Sequence, residues 1–148
     1  PVGRQLGYDV VDSPQRRDVT EVPAESQGSI AMVVATDAPL IGAQLNRLAR
    51  RAGIGLSRVG GYGNNRSGDF AVAFSTANRL PLRQHGLVEG LSMLANEDLN
   101  PLFPAAAEAA EEAIVNSLTM ADTMTGVRGT TVHALPLEKL QRLVRAGR

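Results

Sequence analysis

Gly28-Ser29 stands directly before the apolar run Ile30 to Ala35, which carries no charge. A serine there has two readings. Gly and Ser are ordinary loop chemistry ahead of an element. The same serine is also placed to be a nucleophile at the end of a rigid strand, where a reacting group is best held. A serine hydroxyl needs a base, and no nucleophile elbow or other Ser-His-Asp motif is visible in the chain. A serine at a chain terminus can use its own α-amine, whose pKa of about 7.7 to 8.0 leaves it partly neutral at working pH. Ser29 becomes terminal if its hydroxyl attacks the Gly28 carbonyl and water opens the resulting ester. A residue without Cβ leaves that carbonyl accessible and tolerant of strain. On the dipeptide alone, the loop reading is the stronger.

Other candidates fare worse. Gly129-Thr130 also precedes a strand-like run, but cleavage there would release only residues 130–148, too little for half an active site. His85 and His133 lack metal-ligand spacing to each other or to carboxylates, so both read as structural or surface residues and no metal or other cofactor is expected. "GGYGNN" lacks the Lys and Ser/Thr of a phosphate loop and precedes a strand, so its glycines read as turn geometry with positive φ. The chain has no cysteine, which removes disulfides, thiolate zinc sites and cysteine nucleophiles together.

The elements that would position Ser29 follow from patterning. Ile30 to Ala35 reads as a strand covered on both faces. "TDAPLIGAQLNRLARRAG" reads as an amphipathic helix, with Thr36 or Asp37 as N-cap, Pro39 in the first turn and Gly53 as C-cap. Its Arg47, Arg50 and Arg51 are expected on a solvated basic side. "IGLSRV" reads as a short strand, "GGYGNNRSGD" as a glycine-rich tip and Phe70 to Thr76 as a second buried strand, which together predict a hairpin. Asn100 to Met120 reads as a long helix with Ala106, Ala110, Ala113, Ile114 and Leu118 on its apolar face. A loop over 121–129, a strand "TTVHAL" and a short helix from Pro136, with Leu137, Leu140 and Leu143 inward, complete the chain. Helices interspersed with strands give an α/β or α+β class, with helices covering a sheet.

At 148 residues the chain suits one domain or a piece of a larger one. Its 15 basic and 15 acidic residues balance, so charge gives no support to a nucleic-acid or membrane-surface role. No run approaches the roughly 20 apolar residues needed to span a bilayer, and no signal-peptide pattern opens the chain, so a cytoplasmic location is expected. Residues 1–28 are polar and rich in turn formers, and read as the tail of something upstream.

"GSIAMVVATDAPL", "QLNRLARRA", "SGDFAVAFSTAN" and "TMTGVRGTTVHALPL" together resemble the C-terminal subunit of the DmpA-type aminopeptidases, a self-processing serine family that includes L-aminopeptidase/D-amidase and the β-peptidyl aminopeptidases. The resemblance runs from about Gly28 to the end of the chain. It implies an αββα sandwich, related in layering to the N-terminal nucleophile hydrolases. It implies a precursor cut between Gly28 and Ser29, with residues 1–28 ending the N-terminal subunit and 29–148 forming the subunit that carries the nucleophile. Ser29 matches the nucleophile. Ser67 and Asp69 in "RSGDF" match the serine and acid placed beside it, with Asp69 shorter than the Glu often found there. Read without the resemblance, Ser67 and Asp69 are a hairpin tip with a self-bonding Asp.

The resemblance further implies a small peptide or amide substrate, an acyl-enzyme on Ser29, and a proton moved by the α-amine or by Ser67 linked to Asp69. Oxyanion and substrate-amine contacts would come largely from the N-terminal subunit, which is the implied partner, and such heterodimers would assemble into a homo-oligomer. Two alternatives stand beside this reading. One is a nylon-oligomer-type amide hydrolase or an acyltransferase of the ornithine acetyltransferase kind; these relatives carry Thr at the nucleophile position. The other is a catalytically silent interaction domain.

Overall fold

The computed structural model describes residues 28–146, apart from 66 and 84. The expectation for residues 1–28 therefore lies, but for Gly28, outside the described residues. The described chain falls into two units, Gly28–Glu112 and the part from Ala113 onward.

In the first unit, strand β1 (Ala31–Thr36) leads into helix α1 (Gly42–Arg58), which returns the chain to strand β2 (Phe70–Ser75). The two strands pair in parallel, Ala31 opposite Phe70 through Thr36 opposite Ser75. The predicted hairpin is thus a β-α-β crossover, because the "IGLSRV" segment is helical and not a strand. A helix between two strands lets them run the same way, which a tight turn cannot do.

Glycine placement explains the misreading. Gly53 lies inside α1, and the helix instead ends at Arg58 with Val59 as C-cap, just before Gly60. There Gly60 N–H donates to Ser57 O and Gly61 N–H to Leu56 O, with Gly60 at φ 101°. This is the paired closure of a Schellman motif, which needs a left-handed residue just past the helix. Gly63, at φ 62°, supplies a second left-handed position in the loop that follows.

Gly55 is buried for a different reason. A Cβ at this position would meet the backbone oxygen of Ala107, with Ala110 Cβ and the Glu111 nitrogen at 2.9 Å. It is a close crossing between α1 and helix α2 (Leu102–Thr119). The N-terminus of α1 also differs from expectation: Ile41 is the N-cap, not Thr36 or Asp37. Gln44 takes over the capping, accepting from Ile41 N–H at 3.3 Å and donating to Leu94 O at 2.8 Å. Gln44 is buried, and both ends of its amide are thereby satisfied.

The core consists of Leu40, Leu48, Leu99 and Ala106, with Val34, Leu45 and Phe103 packed against it. Arg47 and Arg51 are not on the solvated side. Their guanidinium carbons sit 5.1 and 3.9 Å from the Phe103 ring centroid, leaving Arg50 as the exposed member of the trio. Along α2, Ala106 and Ala107 are buried while Ala113 and Leu118 are exposed, so the covered stripe is narrower than the alanine pattern suggests.

β1 and β2 both alternate exposed and half-buried residues and are not covered on two faces. Val34 of β1 packs against the core, whereas Val33 is 70% exposed and Phe70, Val72 and Phe74 are also exposed. An apolar run without alternation signals a strand buried on both sides. Among the described residues only one side is packed.

The second unit contains the end of α2, a small antiparallel pair, β3 (Met124–Thr125) with β4 (Thr131–Val132), and helix α3 (Leu137–Ala146). The strand expected over "TTVHAL" is only two residues long, and its partner lies in what reads as a loop. Leu140 and Leu143 of α3 are half-buried, while Leu137 is exposed.

Candidate active site

Parallel pairing sets the beginnings of β1 and β2 side by side. Gly28-Ser29, before β1, therefore meets Ser67-Gly68-Asp69, before β2, although 39 residues separate them. All four positions singled out from the sequence, Gly28, Ser29, Ser67 and Asp69, converge here. In an antiparallel hairpin, Asp69 would have lain beside the far end of β1.

Three hydrogen bonds define the arrangement. Gly68 N–H donates to Ser29 Oγ at 2.9 Å. Ser67 Oγ–H donates to the Gly28 carbonyl at 2.8 Å. Ile30 N–H donates to Asp69 Oδ1 at 3.1 Å. The ladder begins immediately beyond them, with Phe70 N–H donating to Ile30 O at 3.0 Å. Ser29 is fixed from its flank by a backbone donor, and the chain on both sides of it is held by side chains of the facing loop.

Asp69 is thus a partner of the strand backbone. Its shorter reach, relative to a glutamate, suffices for the Ile30 amide. Ser67 and Asp69 are not hydrogen-bonded to each other among the described residues; the serine engages the Gly28 carbonyl instead.

Gly68 is the residue of the candidate site that sequence reasoning passed over. A Cβ there would lie 3.3 Å from Ser29 Oγ, inside ordinary van der Waals contact, so glycine allows its amide to reach the serine oxygen. The signal was present as the middle letter of "SGD", a glycine before a strand, but only the pairing shows what it approaches.

A cleft of about 610 Å³ opens beside this site. Met32, Asp69 and Ala71 contribute to its wall from the sheet, Arg50 and Asn46 from α1, and Tyr62 from the glycine-rich loop. His85 and His133 are both exposed, and His85 does not line the cleft. Among the described residues, no group of three or more His, Cys, Asp or Glu is placed to hold a metal ion, and no helix is long and apolar enough to cross a membrane.

The chain is similar to known proteins of one family. Residues 1–132 match Peptidase family S58. The beta-peptidyl aminopeptidase BapA of Sphingosinicella microcystinivorans is 46% identical, over 98% of this chain and 38% of that protein. Among solved structures, the PH0078 protein of Pyrococcus horikoshii OT3 superposes with a TM-score of 0.74 at 54% identity, covering 81% of this chain and 34% of that one. The L-aminopeptidase D-Ala-esterase/amidase of Ochrobactrum anthropi, described as a prototype of the serine aminopeptidases and a variant of the Ntn hydrolase fold, gives 0.74 at 39% identity. It is covered over 38% of its length by 90% of this chain. The chain spans little more than a third of each of these proteins. Its α/β fold is part of that Ntn-hydrolase-like, DmpA-type architecture. Matched over most of its length, the chain belongs to Peptidase family S58.

Proposed function

We propose that the full-length protein is a self-processing serine aminopeptidase/amidase in which Ser29 is the nucleophile, first on its own chain and then on substrate. The observation that carries this reading is Ser29 at the mouth of β1, its Oγ held at 2.9 Å by Gly68 N–H and its preceding carbonyl held by Ser67. Cleavage of Gly28-Ser29 frees the α-amine that serves as base. Ser29 Oγ then attacks the substrate carbonyl, its proton passes to the amine, and the bond to the leaving nitrogen breaks as that nitrogen is protonated. Water hydrolyses the acyl-Ser29 ester.

The substrate class is a peptide, amide or ester with a small N-terminal residue. The beta-peptidyl aminopeptidase activity of one relative and the L-aminopeptidase and D-Ala-esterase/amidase activity of another support it. The exposed apolar face of β1 and β2 supports a further layer supplied by the rest of the precursor, since Val33, Phe70, Val72 and Phe74 together make a patch that a soluble protein normally covers. The N-terminal subunit is the proposed partner, and heterodimers of this kind would associate into a homo-oligomer.

Intact mass and N-terminal sequencing of the purified full-length protein test the proposal, together with a serine-reactive probe. A fragment beginning at Ser29 that is labelled only in the native state is the expected result. A cut, assembled protein that stays unlabelled and turns over no aminoacyl amide would refute the enzyme reading and leave an interaction domain.

A further inference from the structure

We propose that Arg50 and Asn46 of α1 hold the C-terminal carboxylate of a short peptide substrate, so that the protein favours free peptides over the same peptides capped as amides. The inference rests on the aminopeptidase reading given above and names the leaving side of its substrate.

Three of the four arginines of α1 are committed within the fold. Arg47 lies over the Phe103 ring and donates from Nη1 to Asn96 Oδ1 at 3.1 Å. Arg51 stacks on the same ring and donates to the Arg47 carbonyl at 3.0 Å, and Arg58 pairs with Glu111 at 3.1 Å. Arg50 differs from all three: it is exposed and has no hydrogen bond or ion pair among the described residues. Of the four, it alone lines the cleft of about 610 Å³ beside the nucleophile. Asn46, one turn earlier on the same helix face, also lines the cleft and is likewise without a hydrogen bond among the described residues. Together they offer a guanidinium fork and an amide donor to one space, a combination suited to a carboxylate.

The sheet side of the cleft ties this space to the chemistry. Asp69 forms part of that wall, and its Oδ1 accepts from the N–H of Ile30, the residue after Ser29, at 3.1 Å. Gly68, next to Asp69, donates its N–H to Ser29 Oγ at 2.9 Å. The volume falls within the range of about 300 to 1,000 Å³ found for small-molecule sites.

Charge then orients the substrate. A peptide cut by an aminopeptidase carries its positive charge on the amine of the acyl side. If it is uncapped, it carries a negative charge on the carboxylate of the leaving side. Arg50 repels the first and attracts the second, so the leaving part extends toward α1 and the amine end points away from it.

The test uses the full-length protein and matched pairs of substrates: di- and tripeptides with an L-, D- or β-alanyl first residue, each as free acid and as C-terminal amide. A hydrogen bond to a charged group contributes on the order of tenfold, so the wild type is expected to favour the acids by about that factor in kcat/KM. Arg50→Ala is expected to lose the preference through a raised KM at unchanged kcat, while its activity on the amides stays within about twofold of wild type. Arg50→Lys keeps the charge without the fork and retains part of the preference, and high salt shrinks it in the wild type. Equal hydrolysis of acids and amides by the wild type would overturn the carboxylate role and leave the aminopeptidase reading standing. So would a preference that survives Arg50→Ala, the result expected if the upstream part of the precursor fills the cleft. A loss in Arg50→Ala that is equal on acids and amides would make the residue structural and also overturn the role. A cut, assembled wild type that hydrolyses none of these substrates would overturn the aminopeptidase reading itself, and this inference with it.

Discussion

Gly55→Ala is expected to destabilise the protein even though the same change improves helix propensity. In an open helix, replacing Gly by Ala stabilises by about 0.8 to 1 kcal/mol. At position 55 the added methyl would lie 2.9 Å from Ala110 Cβ and from the Glu111 nitrogen, and closer still to the Ala107 carbonyl oxygen. Optimal carbon contacts are about 3.5 to 4.0 Å, so α1 and α2 must separate by something like an ångström. Two of the three obstructing atoms are backbone and cannot turn aside as a rotamer would. Overpacking of this kind costs about 1 to 3 kcal/mol, and occasionally more. The Arg58–Glu111 ion pair at 3.1 Å spans the same crossing, but both side chains are well exposed and its loss adds little. The opposing terms leave a net loss of up to about 2 kcal/mol, or a fall in melting temperature of several degrees.

Gly53→Ala is the matched control. It lies in the same helix with nothing within 4 Å of its added Cβ, so it is expected to stabilise by up to about 1 kcal/mol. Urea and thermal unfolding of both variants in the full-length protein give the comparison. Gly55→Ala as stable as Gly53→Ala would refute the close-crossing explanation.

Three further outcomes are expected. Ser29→Ala abolishes both self-cleavage and turnover, and a mass spectrum still showing a cut after Gly28 would remove Ser29 from processing. Asp69→Asn keeps an oxygen for the Ile30 amide and lowers turnover with the fold intact, whereas Asp69→Ala also loses that bond and about 1 kcal/mol of stability; equal kinetics for both variants and wild type would reduce Asp69 to a loop residue. Gln44→Leu leaves the Ile41 N–H and Leu94 O without their partner and costs about 1 to 3 kcal/mol in denaturant unfolding; a neutral result would mean that water replaces the amide.

The site was more legible in the sequence than the topology that assembles it. Gly28 and Ser29 drew notice from their place before a strand, Ser67 and Asp69 only through the family resemblance, and the α/β class followed from the interspersed patterns. The direction of β2 did not, because Gly53 and Gly55 look like helix ends or strand flanks to a local reading. Their actual uses, an open helix position and a helix crossing, depend on α2, which lies some fifty residues downstream. The two-sided burial expected of β1 failed for a related reason. Unbroken apolar character reports what a strand is suited to lie between, and the described residues supply one neighbour. Arg47 and Arg51 were misplaced because the Phe103 ring that receives them is also remote in sequence.

The lateral fastening of β1 has a consequence for how the molecule can be made. Among the described residues, the bonds on Ser29 and Ile30 come from across the sheet: Gly68 to the serine oxygen, Asp69 and Phe70 to Ile30. The Ser67 bond alone falls on the peptide that joins Ser29 to Gly28. Severing that peptide removes a covalent tether while the strand's address is kept, so the new end inherits its position instead of having to find it. The pairing of β1 with β2 is therefore expected to survive a cut at this bond. Residues from Ser29 onward, synthesised as a separate chain, should therefore form the same parallel pair with Gly68 on the serine oxygen.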